Sequence, residues 1–431
     1  MNRLLEVREF EAITCNEDYM NDTSLKYLKE EIFTELENYI LAFNERGEAD
    51  AIDFLKIGVR RNVGKVIQAR NYVGIIQTKS NFQLQILPKI SNNGIEDTKK
   101  TFLRMLRSLK DFPSKIFNES YLKIDRMNLY EIFINMYIQE VLNLIKKGLR
   151  SSYLSKEENI NFFKGKLIVQ EHIKKNLIHK ERFYMRYDEF GINRPENRLI
   201  KSTLLKLQKL STSAANIKEI RHLLTNLEMV KPSTNYTKDF SKVVIDRNTK
   251  DYEMLMQWSK VFLINQSFTT FSGNTTSRAL LFPMEKVFES YVSQNLKRVL
   301  ADLGWEISVQ DKGYYLFDNP RKFALRPDIV ITRDDGSRII IDAKWKLLNN
   351  NPQKNYGISQ VDMYQMYAYS KKYETAEIWL LYPLSDEMDN TDISFVANNL
   401  EFVETNVRVF FVDVTRIGES LGLLKEQLVR V

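Results

Sequence analysis

Asp328, Asp342 and Lys344 are the residues of this chain whose types and spacing could do chemistry. Two carboxylates at one place suit a hard cation such as Mg²⁺. That ion takes one or two carboxylates, keeps several waters and draws further oxygens from a substrate phosphate. Held there, it would polarise a water and offset charge building on a phosphoryl group. A lysine beside it would orient the attacking water or stabilise the same developing charge. Residues 326–331 read as one strand and residues 339–346 as the next, with Asp334, Asp335 and Gly336 in the turn between them. In a hairpin the start of the first strand lies beside the end of the second, so Asp328 converges on Asp342. Alternation puts Asp342 and Lys344 on one face and Ala343 on the other. A hairpin whose polar ends face solvent is the competing reading. The run Ile339, Ile340, Ile341 weighs against it: such a strand is covered on both faces, and ending it in charges is costly unless that end opens into a cleft.

The elements that must position these groups follow from periodicity. Residues 284–303 read as a helix with Val287, Phe288, Tyr291, Val292 and Leu296 on one face. Glu285 and Glu289, four apart, share another face, and either could reach the cation, although an exposed helix carboxylate is more often solvated than ligating. A second helix, 357–373, carries Gln-x-x-x-Tyr twice, as Gln360 with Tyr364 and Gln365 with Tyr369. These pairs either bond substrate phosphate or include tyrosines that merely pack. Strands at 377–382 and 407–414 complete the order of a compact α/β nuclease core.

The last third resembles the PD-(D/E)xK nuclease superfamily, with Pro327-Asp328 as the first half-motif and Asp342-Ala343-Lys344 as the second; Asp342 stands where many members have Glu. Upstream segments narrow the resemblance to the McrC family, the nuclease subunit of McrBC modification-dependent (5-methylcytosine) restriction systems. They are Asn71-Tyr72-Val73-Gly74-Ile75-Ile76-Gln77, Leu84-Gln85-Ile86-Leu87-Pro88-Lys89, Lys147-Gly148-Leu149-Arg150, and the run from Tyr187-Asp188-Glu189-Phe190 to Arg194-Pro195-Glu196-Asn197-Arg198-Leu199-Ile200-Lys201, with Gln365-Met366-Tyr367-Ala368-Tyr369 further on. They cover most of residues 70–380 in the family's order. The resemblance implies a Mg²⁺-dependent endonuclease acting on double-stranded DNA. Asp328 and Asp342 would be the metal ligands, Lys344 the electrostatic partner, and Glu289 and Gln365 assisting groups. It also implies a partner, a McrB-type AAA+ GTPase hexamer that binds the GTP and whose hydrolysis the N-terminal region stimulates. Two other readings compete: a non-catalytic activator of such a ring, and a free-standing repair nuclease of the same superfamily.

Composition agrees with a multi-domain α+β chain. At 431 residues, 43% hydrophobic and 28% charged, the prior is two or three domains. A single cysteine, Cys15, excludes an intrachain disulfide and suits a reducing cytoplasm. His172, His179 and His222 lack the company a zinc site needs. No apolar stretch approaches a membrane span, and the charged N-terminus does not read as a signal peptide. The net charge of +7 is uneven: residues 101–222 hold 24 Lys and Arg against 13 Asp and Glu. That balance points to a phosphate backbone or to solvated helix faces. Within it, Phe162, Phe163, Phe183 and Tyr184 sit among Lys164, Lys166, Lys174, Lys175, Lys180, Arg182 and Arg186. These aromatics either stack on nucleic acid or form a core beneath a charged surface.

Three segments follow. Residues 1–95 form an N-terminal β-containing domain that would contact the GTPase: a helix at 24–43, broken by residues 47–50, then strands at 54–63, 66–78 and 82–90. Residues 96–271 form a mainly helical basic region, with helices at 99–109, 129–149, 167–177, 197–210, 217–227 and 252–265. Residues 278–431 form the α/β nuclease domain, with residues 272–277 as linker. Gly58 to Lys65 imitates a phosphate loop, but five residues separate its glycines and Val66 follows the lysine, so the Walker pattern fails.

Overall fold

The fold is seen in a computed structural model, which describes residues 4–44, 54–78, 80–90, 95–109, 112, 127–264, 278–385, 388, 392–397 and 404–430. The expected helix break at 47–50 and linker at 272–277 lie outside these. Contacts divide the chain into two units, residues 1–114 with 276–431, and residues 115–275. The sequence reading instead cuts it into three, after residue 95 and between 271 and 278.

In the first unit, two small sheets share a core. One has the order Leu4–Arg8, Gln83–Leu87, Tyr72–Gln77, Arg278–Pro283; the first pair is parallel and the others antiparallel. The other runs Leu25–Tyr27, Ala12–Thr14, Gly64–Ala69, Leu55–Arg60. The helix Glu30–Asn44 contributes Phe33, Leu36 and Ile40 to a cluster with Ile13, Ile67, Leu84, Ile86 and Leu281. The expected strand at 66–78 is two strands, because Arg70 and Asn71 turn the chain. Gln83 and Gln85 alternate with Leu84 and Ile86, yet all five residues of Gln83–Leu87 are buried, and Gln85 donates to Glu6 at 2.6 Å. Gly74, with φ +147°, is required where it stands. A Cβ there would lie 1.9 Å from the carbonyl oxygen of Leu280 on the neighbouring strand.

The strand Arg278–Pro283 runs directly into the helix Met284–Val299, and the six-stranded sheet follows. Its order is Glu306–Val309, Ile329–Thr332, Arg338–Ala343, Glu377–Pro383, Thr405–Val412, Ile393–Ala397. The expected hairpin is present, with Ile329 opposite Ile341 and a turn closed by the Gly336 amide donating to the Arg333 carbonyl. Ile339, Ile340 and Ile341 are fully buried, and their strand pairs in parallel with Glu377–Pro383. That central position is what their apolar run requires. The helix Gln360–Tyr373 packs Met366, Tyr369 and Tyr373 against Ile340, Ile378 and Leu380. Ser359 caps it by accepting from the Asp362 amide, and Glu374, in the left-handed region, ends it. The helices Met284–Val299 and Ile417–Arg430 pack on each other.

The second unit contains the helices Leu129–Lys147, Pro195–Leu210, Ala214–Asn226, Tyr236–Phe240 and Glu253–Ile264. Stacked Trp258 and Phe262, with Phe133 and Tyr137, lie in its core. It also holds a sheet of order Ser152–Ile160, Phe183–Gly191, Lys166–Leu167, with the short helix Val169–Lys175 in place of the longer one expected at 167–177. Ser152–Ile160 carries three charges and little apolar alternation, so periodicity gives no strand signal there. Phe162 and Phe163 are 60% and 66% exposed, which removes the core reading for those two. Lys164 and Lys175 sit over the rings of Tyr187 and Tyr184, while Lys156 and Arg186 pair with Glu189 and Glu157. Among the described residues no helix is long and apolar enough to cross a membrane.

Candidate active site

The hairpin brings the first two aspartates together at one end of the central strand. Oδ2 of Asp328 accepts from the Ala343 amide at 2.8 Å, a bond that fixes the first strand's start against the second strand's end. Ile340, Asp342 and Lys344 share a face, and Ile340 packs toward the helix Gln360–Tyr373, so that face looks onto the same helix. Asp342 is 1% exposed, and its Oδ2 lies 2.7 Å from Nζ of Lys344. That contact is a charge-assisted pair, and Lys344 also donates to Gln365 Oε1 at 3.1 Å, while Gln365 in turn donates to the Tyr369 hydroxyl at 2.6 Å. The second Gln-x-x-x-Tyr pair is therefore built into the site. The first, Gln360 with Tyr364, is exposed.

The two helix carboxylates separate. Glu289 is half-buried, accepts from Gln310 at 2.7 Å, and lies within electrostatic reach of Asp342, Asp328 and Lys344. Glu285, one turn earlier, accepts from Asn71 at 3.1 Å and faces Glu9 and Lys89. Asp362 is an acid the sequence reading did not single out. Its negative charge reaches Asp342 and Lys344. In the sequence it stands three residues after Ser359, where it reads as part of a helix cap. Tyr382 also lies near both Asp342 and Asp362, and its hydroxyl is buried without a partner.

Crowding acids in this way shifts them in one direction. Burial, then the charges of Asp342 and Glu289, pushes Asp328 up to about 8. Burial raises Asp342 against the pull of Lys344, and burial with the charge of Asp342 raises Glu289 against its bond from Gln310. Lys344 is raised: burial disfavours the ammonium, but Asp342 and Asp328 more than offset it. Three acids around one lysine thus hold their protons more tightly than exposed carboxylates do.

Among the described residues no set of three or more His, Cys, Asp or Glu forms a ready metal cage. The fit to a hard divalent cation rests on two carboxylates, Asp328 and Asp342, brought together at one strand end, with Lys344 as a close counter-charge on Asp342. Mg²⁺ accepts so sparse a set because waters and substrate oxygens fill its remaining positions.

A family model described as McrBC 5-methylcytosine restriction system component matches residues 67–383. No curated protein matches. One similar solved structure is a refined half-complex from a tetradecameric assembly of Thermococcus gammatolerans McrB AAA+ hexamers with bound McrC. Its TM-score is 0.72 at 18% identity, covering 99% of this chain and 100% of that one. Another, a cryo-EM structure of the Thermococcus gammatolerans McrBC complex, has a TM-score of 0.51 at 22% identity, covering 69% of this chain and 88% of that one. At such identities the likeness is one of fold. The family match, spanning most of the chain and both halves of the candidate site, carries the assignment: the chain belongs to the McrBC 5-methylcytosine restriction system component family.

Proposed function

We propose that this chain is the DNA-cutting subunit of its restriction system, a Mg²⁺-dependent endonuclease that works with an AAA+ GTPase of the McrB type and stimulates it. The observation that carries the nuclease reading is the cluster of buried Asp342 with half-buried Asp328 and Lys344 at the end of a central strand. Burial raises both acids, the charges of Asp342 and Glu289 raise Asp328 further, and Lys344 pairs with Asp342 at 2.7 Å. Mg²⁺, when bound there, would supply positive charge beside a phosphate and acidify a water. Asp328 and Asp342 would hold it. Lys344, fixed by Asp342 and Gln365, would present its ammonium to a phosphoryl oxygen or to the attacking water. Glu289, held by Gln310, would take up a proton or a second-sphere water. Gln365 would keep Lys344 aimed, itself held by Tyr369.

The partner reading rests on the family and on the solved relatives, whose McrB AAA+ hexamers carry McrC. The Gly58–Lys65 segment departs from the Walker pattern, which agrees with GTP being bound by the partner. Plasmid cleavage tests both parts. Cutting that needs Mg²⁺, GTP and the partner GTPase supports the reading. GTPase stimulation without cutting would make this chain an activator only. Cutting without the partner would make it a free-standing nuclease.

A further inference from the structure

Trp345 follows Lys344 and, by strand alternation, turns away from it. Its buried ring lies 5.3 Å from that of Phe288, the residue before Glu289. One side chain therefore packs between the two elements that carry the candidate site. Its indole N–H is not left to the core. Nε1 donates to both carboxylate oxygens of Glu9, at 3.1 and 3.0 Å, and Glu9 is 4% exposed. The Lys89 amide donates to the same carboxylate at 3.0 Å, and Lys89 Nζ donates to the Trp345 carbonyl at 2.9 Å. Lys89 Nζ also lies over the rings of Phe10 and Trp345, at 4.8 and 5.4 Å.

Glu9 and Lys89 come just past the ends of the parallel strands Leu4–Arg8 and Gln83–Leu87, where the Glu9 amide donates to the Leu87 carbonyl. Phe10 adopts φ +69° to make the turn that leaves Glu9 facing inward. A phenylalanine in that region is strained, and such strain persists where surrounding contacts over-determine it. Burying a glutamate beneath a tryptophan, so far from it in sequence, is likewise costly unless the bonds it makes are worth keeping.

We propose that Glu9 and Lys89 form a clamp that sets the position of the Asp342–Lys344 strand end through Trp345. Both are positioning residues: neither touches the reacting atoms. The clamp holds Trp345 from its side chain and its carbonyl at once. The site side of the same segment is held by Asp328 on the Ala343 amide and by the Leu381 carbonyl on the Lys344 amide. Releasing the Trp345 side lets the segment pivot about those two bonds, which carries Lys344 off its aim at Gln365. Displacements of this kind cost rate and not binding.

The catalytic part of the inference rests on the nuclease reading, so the test uses one readout that does not. In the full-length chain, amide hydrogen exchange over residues 343–346 is compared for wild type, Glu9→Ala, Glu9→Gln and Trp345→Phe. Plasmid cleavage is measured alongside, with Mg²⁺, the partner GTPase and GTP. Glu9→Ala is expected to speed exchange there and to lower kcat about tenfold or more, with KM for DNA within about twofold. Glu9→Gln, which keeps an acceptor for the indole, restores both. Trp345→Phe keeps the ring and deletes only the N–H. It reproduces the Glu9→Ala effect, and combining the two adds little. Unchanged exchange in both Glu9→Ala and Trp345→Phe overturns the clamp, as does failure of Glu9→Gln to rescue or full additivity of the two. If wild type does not cut while exchange responds as expected, the nuclease reading falls and the clamp stands.

Discussion

Two of the regions that bury carboxylates treat them in opposite ways. In the second unit, Glu131 is 3% exposed and surrounded by neutral donors. The Thr212 amide and hydroxyl reach one oxygen at 2.6 and 3.0 Å, and the Ser211 hydroxyl and Asn216 amide reach the other at 2.6 and 2.8 Å. At the end of the strand Arg338–Ala343, by contrast, Asp342 is more deeply buried and has one lysine as its counter-ion, with Asp328, Glu289 and Asp362 within electrostatic reach. The first arrangement ties the helix Leu129–Lys147 to the start of Ala214–Asn226, and it is complete as it stands. The second crowds three acids around one lysine, and each of the three is raised. An added cation would favour the charged forms of acids crowded in this way, so that is where a ligand should be sought.

The contrast can be broken most directly at Asp342. Asp342→Ala or Lys344→Ala is expected to reduce plasmid cleavage by about 10²–10³-fold or more while leaving assembly with the GTPase intact; full cleavage by either variant would dissolve the difference between the two regions. Glu131→Ala should do the reverse. It strands four donors in a helical core and should cost about 3 kcal/mol in urea unfolding, whereas Asp328→Asn, which relieves like-charge crowding, should leave stability equal or higher. If Glu131→Ala unfolds no more easily than wild type, the satisfied network has no structural weight.

A smaller effect separates the two glutamates on Met284–Val299. Glu289→Ala should slow cutting about tenfold or more, and Glu285→Ala, whose carboxylate faces Asn71 and Lys89, should stay within about threefold; equal effects would remove the assignment of Glu289 to the site. A separate effect is on stability against pH. Asp328 is raised above its unfolded value, so the folded state keeps the proton longer. Its contribution is fully present below about pH 4 and is lost as pH rises toward about 8. In EDTA the urea midpoint should therefore decline across that window, and Asp328→Asn should flatten the decline; a variant with the same slope as wild type would show that Asp328 titrates elsewhere.

What the sequence made legible was local. The isoleucine run announces a covered strand, the Asp-Gly turn announces the hairpin, and together they bring Asp328 to Asp342 before any coordinates exist. The one-turn spacing offered Gln360 and Gln365 alike, and only the resemblance singled out Gln365. Asp362 was not legible, since a helix-capping position explains an acid there without reference to a site. Glu9 is invisible for another reason: its partner Trp345 lies 336 residues away, and nothing local distinguishes it from any charged residue after a strand. The sheet around Phe183–Gly191 escaped because its strands are charged and largely solvated, so alternation carries no apolar signal. Side chains reveal an element from sequence only when burial sorts them.

The strand Arg278–Pro283 has a consequence for how this protein is made. It completes a sheet whose other strands are finished by Leu87, and it pairs with Tyr72–Gln77 from about 200 residues further along the chain. At synthesis rates of about 5–20 residues per second, the edge of Tyr72–Gln77 waits on the order of 10–40 seconds for its partner. An unpaired strand edge of Val73, Ile75 and Ile76 is an aggregation hazard over such an interval.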